Sequence, residues 1–377
     1  MVYSLHHSIL YSGDQIFYDY SISFEGPYIV SLYPSSKAHK QAQDIDVQGM
    51  ILAPGLIDLQ IYGAKGKLFN NTQDQETLNS IHEHNLERGT TRYMVTLSTS
   101  SLETIFKAID TVRKALEKSS PGLLGLHLEG PFINPEKRGA HFEEWVLKPK
   151  LEWVKQIMEY GKGVVKMMTI APERFEPEAL QYLAQTGILL SAGHSNATYE
   201  EAVHGFKSGI ETVTHLYNAM SPLGSREPGL VGASLDQAHF ASIIPDGIHV
   251  SFSSVRIAKR IMGNRLFLIS DSVTETKEGP YFFKKGDNCF INEKGTLSGS
   301  AIGLIQGVEN CVKKVGISLA ESIRMASAYP AKVLSNPKIT GILKPGSLAD
   351  FIVFDSQYKI QHVFYEGQAF KLPQSIV

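Results

Sequence analysis

The sequence predicts an α/β fold, a (β/α)8 TIM-like barrel with a small β-sandwich domain formed from both chain termini. Eight short apolar runs of strand character, from GLIDLQIY near 55 to LFLISDS near 266, alternate with longer segments of helical period, the pattern of repeated βα units around a parallel sheet. Both chain ends read instead as short strands and turns. The 377 residues exceed the roughly 150 of an average domain, and a barrel of about 250 with a small second domain absorbs them.

Residues 1 to about 50 alternate short apolar runs with glycine, proline and aspartate, as in SISF, EGPYIVSLYP and DVQGMILAPG. From Gly55 the eight strand candidates follow in order: GLIDLQIY, RYMVTLS near 92, LLGLHLEG near 123, VVKMMTIAP near 164, ILLSAGHS near 188, ETVTHLYN near 211, ASIIPDGIH near 241 and LFLISDS. Helices are expected over 76–88, 101–118, 177–186 and 199–208, with Gly89, Pro121, Gly187 and Gly209 placed to stop them. Ser318 and Glu321 have the spacing of a capping box for a helix that closes before Pro330. KPGSLADFIVFD then returns to strand-like sequence. The expected division is a small β domain of residues 1–52 and 342–377 and a barrel of residues 53–341. No fixed-period repeat argues for a solenoid.

Lysine and arginine total 36 against 38 acidic residues, a net charge of −2, so no basic field is available for a nucleic-acid backbone or an anionic membrane. Hydrophobic residues at 43% and charged residues at 20% are globular composition and exclude disorder. Two cysteines, Cys289 and Cys311, make no disulfide framework and no CxxC motif, which points to a reducing cytoplasm. The start, MVYSLHHSIL, has no basic segment followed by a long apolar run, and no stretch of about 18 apolar residues occurs, so neither secretion nor membrane spanning is expected.

The polar residues are informative by position. Glu129, His194, His215, His249 and Asp271 all fall at or just beyond the carboxyl ends of expected strands, the rim where barrel enzymes carry their active sites. Taken singly, each reads as a hydrogen-bonded histidine or a paired acid. Taken together they would converge at one barrel mouth. Glu129, His194 and His215 supply one oxygen and two imidazole nitrogens, a ligand set for one divalent ion with a coordination position left for water. Zinc is the expected ion, and iron, manganese or cobalt suit the same donors. Asp271, in LISDS, is placed to take a proton from such a water and deliver it to a departing nitrogen; as a helix cap it would be ordinary turn chemistry. Asn218, Arg226 and His249 offer donors for an anion, with Arg226 on the loop GSREPG. A solvated arginine is the default reading of that loop. His141, in KRGAHF, could contact a substrate carbonyl. Neither GxSxG nor a reactive cysteine setting is present, and Ser195 in GHSNAT follows an expected metal ligand, so it is not read as a nucleophile. There is no Walker loop and no dinucleotide fingerprint.

The motifs APGLIDLQIYG, GLHLEGPF, SAGHSNAT, THLYNAM, REPGLVG, IPDGIHV, SDS and LSGSA resemble the N-acetylglucosamine-6-phosphate deacetylase family of the amidohydrolase superfamily, through nearly the whole chain. GLHLEGPF, GHSNAT and THLYNAM are specific together, whereas PGLID and KPGSLADFIVFD mark only the superfamily. The resemblance implies that Glu129, His194 and His215 bind the metal and that Asp271 is the general base and acid. It further implies that His141 polarises the acetamide carbonyl with Ala140 beside it, that Asn218, Ala219, Arg226 and His249 surround the sugar phosphate, and that Leu297, Ser298 and Gly299 line the sugar side. In similar enzymes the equivalents of Arg226 and His249 serve the neighbouring subunit's site, which implies a homodimer. One departure stands out: many amidohydrolases carry His-x-His at the end of the first strand, where this chain has Gln60, Ile61 and Tyr62, so a mononuclear site is expected.

The implied reaction is hydrolysis of N-acetyl-D-glucosamine 6-phosphate to D-glucosamine 6-phosphate and acetate in amino-sugar catabolism. The alternatives are the same chemistry on another acetamido sugar phosphate, such as N-acetylgalactosamine 6-phosphate, and a non-catalytic barrel kept as a binding protein. Retention of Glu129, both histidines and Asp271 counts against the last.

Overall fold

The computed structural model describes residues 2–37, 44–286 and 289–373. The chain divides into two compact units, one of residues up to Asp58 with Glu83–Arg92 and the chain from Gly303 on, the other of Leu59–His82 and Tyr93–Ile302.

Each of the eight expected runs contains a strand: Leu56–Ile61, Thr90–Ser98, Leu123–Glu129, Val165–Ile170, Leu189–Ala192, Thr212–Val213, Ala241–Ile243 and Leu266–Leu268. The first six are hydrogen-bonded neighbours in chain order, with parallel pairing from the second to the sixth. The seventh pairs in parallel with the eighth. Two seams close the ring. The Val213 N–H donates to the Phe240 carbonyl at 3.1 Å and the Leu216 N–H to that of Ser242 at 2.8 Å, joining the sixth strand to the seventh. At the other seam the Asp271 N–H donates to the Gln60 carbonyl and the Tyr62 N–H to that of Ser272, both at 3.0 Å. Every residue of Leu56–Ile61 and Thr90–Ser98 is buried, as a parallel sheet covered on both faces requires.

The barrel interior carries a polar layer. His127 Nε2 lies 2.7 Å from Thr169 Oγ1, which lies 2.7 Å from Thr214 Oγ1. Burial pulls His127 down to about 4, so it is a neutral core histidine.

Helices fall within two residues of the expected spans, at Gln75–Glu87, Leu102–Glu117, Pro177–Ala184 and Tyr199–Lys207. Leu102–Glu117 buries Ile105, Ala108, Ile109, Val112 and Ala115, one stripe of helical period, and Ser101 caps it by accepting the Thr104 N–H. Thr198 and Glu201 form a reciprocal capping box on Tyr199–Lys207.

In the other unit both chain ends meet in one sheet. Its order is Gln368–Phe370, Ile360–Tyr365, Phe351–Phe354, Ile51–Pro54, Val2–Ser12, Gln15–Glu25 and Tyr28–Pro34, with Asp44–Asp46 also paired to Val2–Ser12. Phe351–Phe354 runs antiparallel to Ile51–Pro54, the direct join between the two ends. Phe24 lies three strands from Phe351, a spacing of roughly 14 Å in a flat sheet, yet their rings are 5.3 Å apart and Phe24 meets Phe364 at 5.2 Å. The sheet therefore folds over itself into a sandwich around Leu5, Leu10, Ile22, Leu52 and Val353. The helices Leu304–Asn310, Leu319–Ala326 and Ala328–Leu334 belong to this unit. Ser318 Oγ accepts the Glu321 N–H, and the helix it caps ends before Pro330.

Candidate active site

The strands deliver the expected residues to one end of the barrel. Glu129 is the last residue of Leu123–Glu129, His194 follows Leu189–Ala192 by two residues, His215 follows Thr212–Val213 by two, and Asp271 follows Leu266–Leu268 by three. His194, His215 and Asp271 take φ of +47°, +37° and +53°. Left-handed backbone at a residue with a Cβ costs free energy and persists only where surrounding contacts over-determine it. Gly193 belongs here for another reason: a Cβ on it would come within 2.8 Å of the Thr169 side chain and 3.0 Å of that of Thr214.

Three heteroatoms converge. His215 Nε2 is 3.0 Å from Glu129 Oε1 and 3.0 Å from His194 Nε2, and His194 Nε2 is 3.4 Å from Glu129 Oε1. A divalent ion about 2.0–2.2 Å from each of three such ligands would separate them by roughly 2.9–3.5 Å. The residues present therefore fit one cation. Glu129, His141 and His194 also form a compact buried set, with ligand atoms within 4.8 Å of one another. Tautomers separate the two histidines. His194 Nδ1 lies 2.9 Å from the Lys137 carbonyl, which can only accept, so Nδ1 holds the proton and Nε2 presents its lone pair. His141 is the reverse. The Thr99 backbone N–H, which can only donate, points at Nδ1 at 3.3 Å, with Thr99 Oγ1 at 2.8 Å, so the His141 proton sits on Nε2, 3.0 Å from Glu129 Oε2. His194 thus presents a lone pair to the cluster and His141 an N–H.

Gln60 and Tyr62 occupy the far side of Glu129. Gln60 Nε2 lies 2.8 Å from Glu129 Oε1, 2.8 Å from Asp271 Oδ1 and 2.7 Å from the Tyr62 hydroxyl, which donates to Glu129 Oε2 at 2.6 Å. An amide and a phenol thus tie the glutamate to the aspartate where two histidines would stand in many superfamily members. Burial alone would raise the Glu129 carboxyl, but His194, His141 and His215 outweigh it and hold it well below the usual range. Asp271 goes the other way: burial raises it, His215 opposes and Glu129 adds to the rise. Two carboxylates in one pocket are pushed apart, the pattern that separates a ligand from a base. Burial lowers His141 to about 4, so it is a neutral donor.

These groups open into a cleft of about 360 Å³, large enough for a small ligand. Its lining includes Glu129, Ala140, His141, His194, His215, Asn218, Ala219, His249, Asp271, Leu297, Ser298 and Gly299. His249 is oriented by Asp246, whose Oδ2 is 2.6 Å from Nδ1. Arg226 lies on an exposed loop and is not part of this lining. The sequence reading did not single out Asn70, Ser98, Lys137, Tyr281, Val273 or Phe283, which also line the cleft. Nothing local marks them: Tyr281 packs on Phe142 at 4.9 Å and donates to the Thr99 carbonyl, partners more than a hundred residues away.

A closed parallel barrel with a glutamate, two convergent histidines and a buried aspartate at its carboxyl end defines a class. The chain belongs to the amidohydrolase family, whose profile matches residues 51–375. Within that family its motifs place it with the N-acetylglucosamine-6-phosphate deacetylases: it is 35% identical to the enzyme of that name from Haemophilus influenzae, over 98% of this chain and 99% of the relative. The solved N-acetylglucosamine-6-phosphate deacetylase of Pasteurella multocida superposes with a TM-score of 0.94 at 32% identity, covering 98% of this chain and all of that one. A Shewanella N-acetylgalactosamine-6-phosphate deacetylase is 32% identical over 84% of this chain and 82% of its own.

Proposed function

We propose that the protein hydrolyses the acetamide of N-acetyl-D-glucosamine 6-phosphate to D-glucosamine 6-phosphate and acetate, in amino-sugar catabolism. The observation that carries this reading is the pairing, in one cleft, of the convergent Glu129, His194 and His215 with a buried Asp271 and a neutral N–H donor at His141. Glu129, His194 and His215 would hold one divalent ion, zinc by preference with iron, manganese or cobalt as alternatives, and that ion supplies Lewis acidity toward the carbonyl and the attacking water. Asp271, raised by burial, accepts the proton from water and passes it to the leaving amine. The His141 Nε2–H, held by Thr99, donates to the acetyl oxygen as negative charge develops there. Ala140 lies beside it, and Leu297, Ser298 and Gly299 border the sugar. Asn218 and Ala219 would border the phosphate, and His249, expected with Arg226 at a neighbouring subunit's site, lines this chain's own cleft and would meet the phosphate there. Arg226, exposed and away from this cleft, would reach the phosphate of a second copy, which makes a homodimer part of the reading. On this reading the catalytic barrel lies within residues 53–341, every residue lining the cleft falling between Tyr62 and Gly299, and 1–52 with 342–377 form the small β domain, with which the helices of 304–334 cluster. Among the described residues no helix is long and apolar enough to cross a membrane; the thiol-only cysteines agree with a cytoplasmic enzyme.

The test is acetate release from N-acetylglucosamine 6-phosphate, with metal content measured on the same sample and a chelated control. Chelator-sensitive turnover with about one ion per chain is the expected result. A higher kcat/KM on N-acetylgalactosamine 6-phosphate would move the assignment to the epimer, and no turnover on either by a metallated sample would overturn it.

A further inference from the structure

His194 lies two residues beyond its strand. It stands at φ +47° in a turn, and its ring is aimed by the Lys137 carbonyl, on a different loop. Two carboxylates join those loops: Glu136, in the cleft lining, accepts the Asn196 side-chain amide at 3.0 Å on Oε2, and a second lies outside that lining. Glu173, on the short turn Pro172–Arg174 after the fourth strand, accepts the Asn196 backbone N–H at 2.7 Å and the Asn134 amide at 2.9 Å on Oε1, and the Ser195 hydroxyl at 2.7 Å on Oε2. Asn196 and Ser195 are the two residues after His194. Asn134 begins the turn that ends at Lys137: its carbonyl accepts the Lys137 N–H at 2.9 Å, and its own N–H donates to the His194 carbonyl at 2.8 Å.

We propose that Glu173 is the positioning residue for His194, clamping the turn that carries the imidazole to the loop whose carbonyl orients it, and so setting the affinity of the site for its cation. The proposal rests on the cation reading of Glu129, His194 and His215 given above. The physical argument has two parts. A left-handed residue relaxes toward ordinary backbone unless its neighbours are held, and Glu173 accepts the Ser195 hydroxyl and the Asn196 backbone N–H that follow it. An outer partner on the other nitrogen fixes the tautomer and orientation of an imidazole ligand, and the loop supplying that partner to His194 is held by the same carboxylate. Two N–H donors share Oε1 and the Ser195 hydroxyl donates to Oε2; glutamine keeps one oxygen and can meet Ser195 only if that hydroxyl turns to accept, so it loses the charge-assisted bonds that hold the two loops.

Glu173→Gln separates positioning from general stability. The cation is removed by chelation, Zn2+ is titrated back against a chromophoric chelator, and the thermal midpoint of the metal-free protein is measured alongside. The expected result is a Zn2+ affinity about 10- to 100-fold weaker than the parent, with the metal-free midpoint nearly unchanged, and with kcat falling at subsaturating Zn2+ while KM stays near the parent value. Ser195→Ala, which removes one of the three bonds, should weaken affinity in the same direction by less, and the double variant should lose less than the product of the two. Parent-like Zn2+ affinity in both single variants overturns the proposal, as does a lowered metal-free midpoint with affinity intact, which would make Glu173 structural only. A parent protein that binds no Zn2+ overturns the cation reading itself, a different outcome in the same titration.

Discussion

Asp271 carries the sharpest expectation at the scale of single residues. Burial lifts its carboxyl above the ordinary range, His215 opposes and Glu129 adds to the rise. A base must be ionised, so kcat/KM should fall as pH drops through that raised value, with the acid limb above the roughly pH 4 of a free aspartate. Asp271→Asn should lower kcat by about a hundredfold or more while Zn2+ and substrate still bind. A variant with near-parental kcat would remove Asp271 from the chemistry. Arg226, on its exposed loop, should act on binding alone: Arg226→Ala is expected to raise KM for the phosphorylated sugar more than for the unphosphorylated one, and equal effects on both would take the arginine away from the phosphate. Glu129, His194, His215 and Asp271 were legible in the sequence because each interrupts an apolar strand at its carboxyl end. The hydroxyl of Tyr62 on Glu129 was not, because a tyrosine beside an apolar run reads as core.

Among the elements, strands and helices declared themselves through local chemistry. Ser101 and Thr198 satisfy backbone N–H groups within their own first turns, and Gly187 and Gly209 end helices with φ of +75° and +107°. Such interactions span a few residues, so their signals survive in a linear reading. The turn after the third strand shows what does not. Gly130 has φ +97°, and a Cβ on it would lie 2.2 Å from Thr99 Oγ1, the group that holds His141 Nδ1. Gly130→Ala should therefore cost about 1–3 kcal/mol by overpacking, read as a lower denaturant midpoint, and should lower kcat through His141. An unchanged midpoint would mean that Thr99 can move aside, and His141 would then lose its proposed support. In GLHLEGPF the glycine marks a turn, but the partner it must avoid comes from the neighbouring strand.

For the whole molecule, the cation is the coupling to watch. If the site binds one ion in the folded state alone, a free-ion concentration a thousandfold above Kd adds about 4 kcal/mol to stability. Chelation should then lower the melting temperature, one equivalent of Zn2+ per chain should raise it again, and further free ion should raise it only logarithmically. A melt indifferent to chelation would count against a buried ion.

The sequence by itself determined the order of the barrel strands, the limits of the four helices it predicted, the strand character of both chain ends and the kinds of side chain at each strand end, because periodicity, capping and turn chemistry act over neighbouring residues. Only the tertiary structure decided that His127 is a neutral core residue, that His194 turns Nε2 toward Glu129 and His215, that His141 carries its proton on Nε2, and that Glu173 joins two loops. Glu129 and His215 are 86 residues apart in the chain and 3.0 Å apart in space. Ring closure sets that distance, together with the protonation each ring must adopt against its neighbours, and no local pattern encodes either.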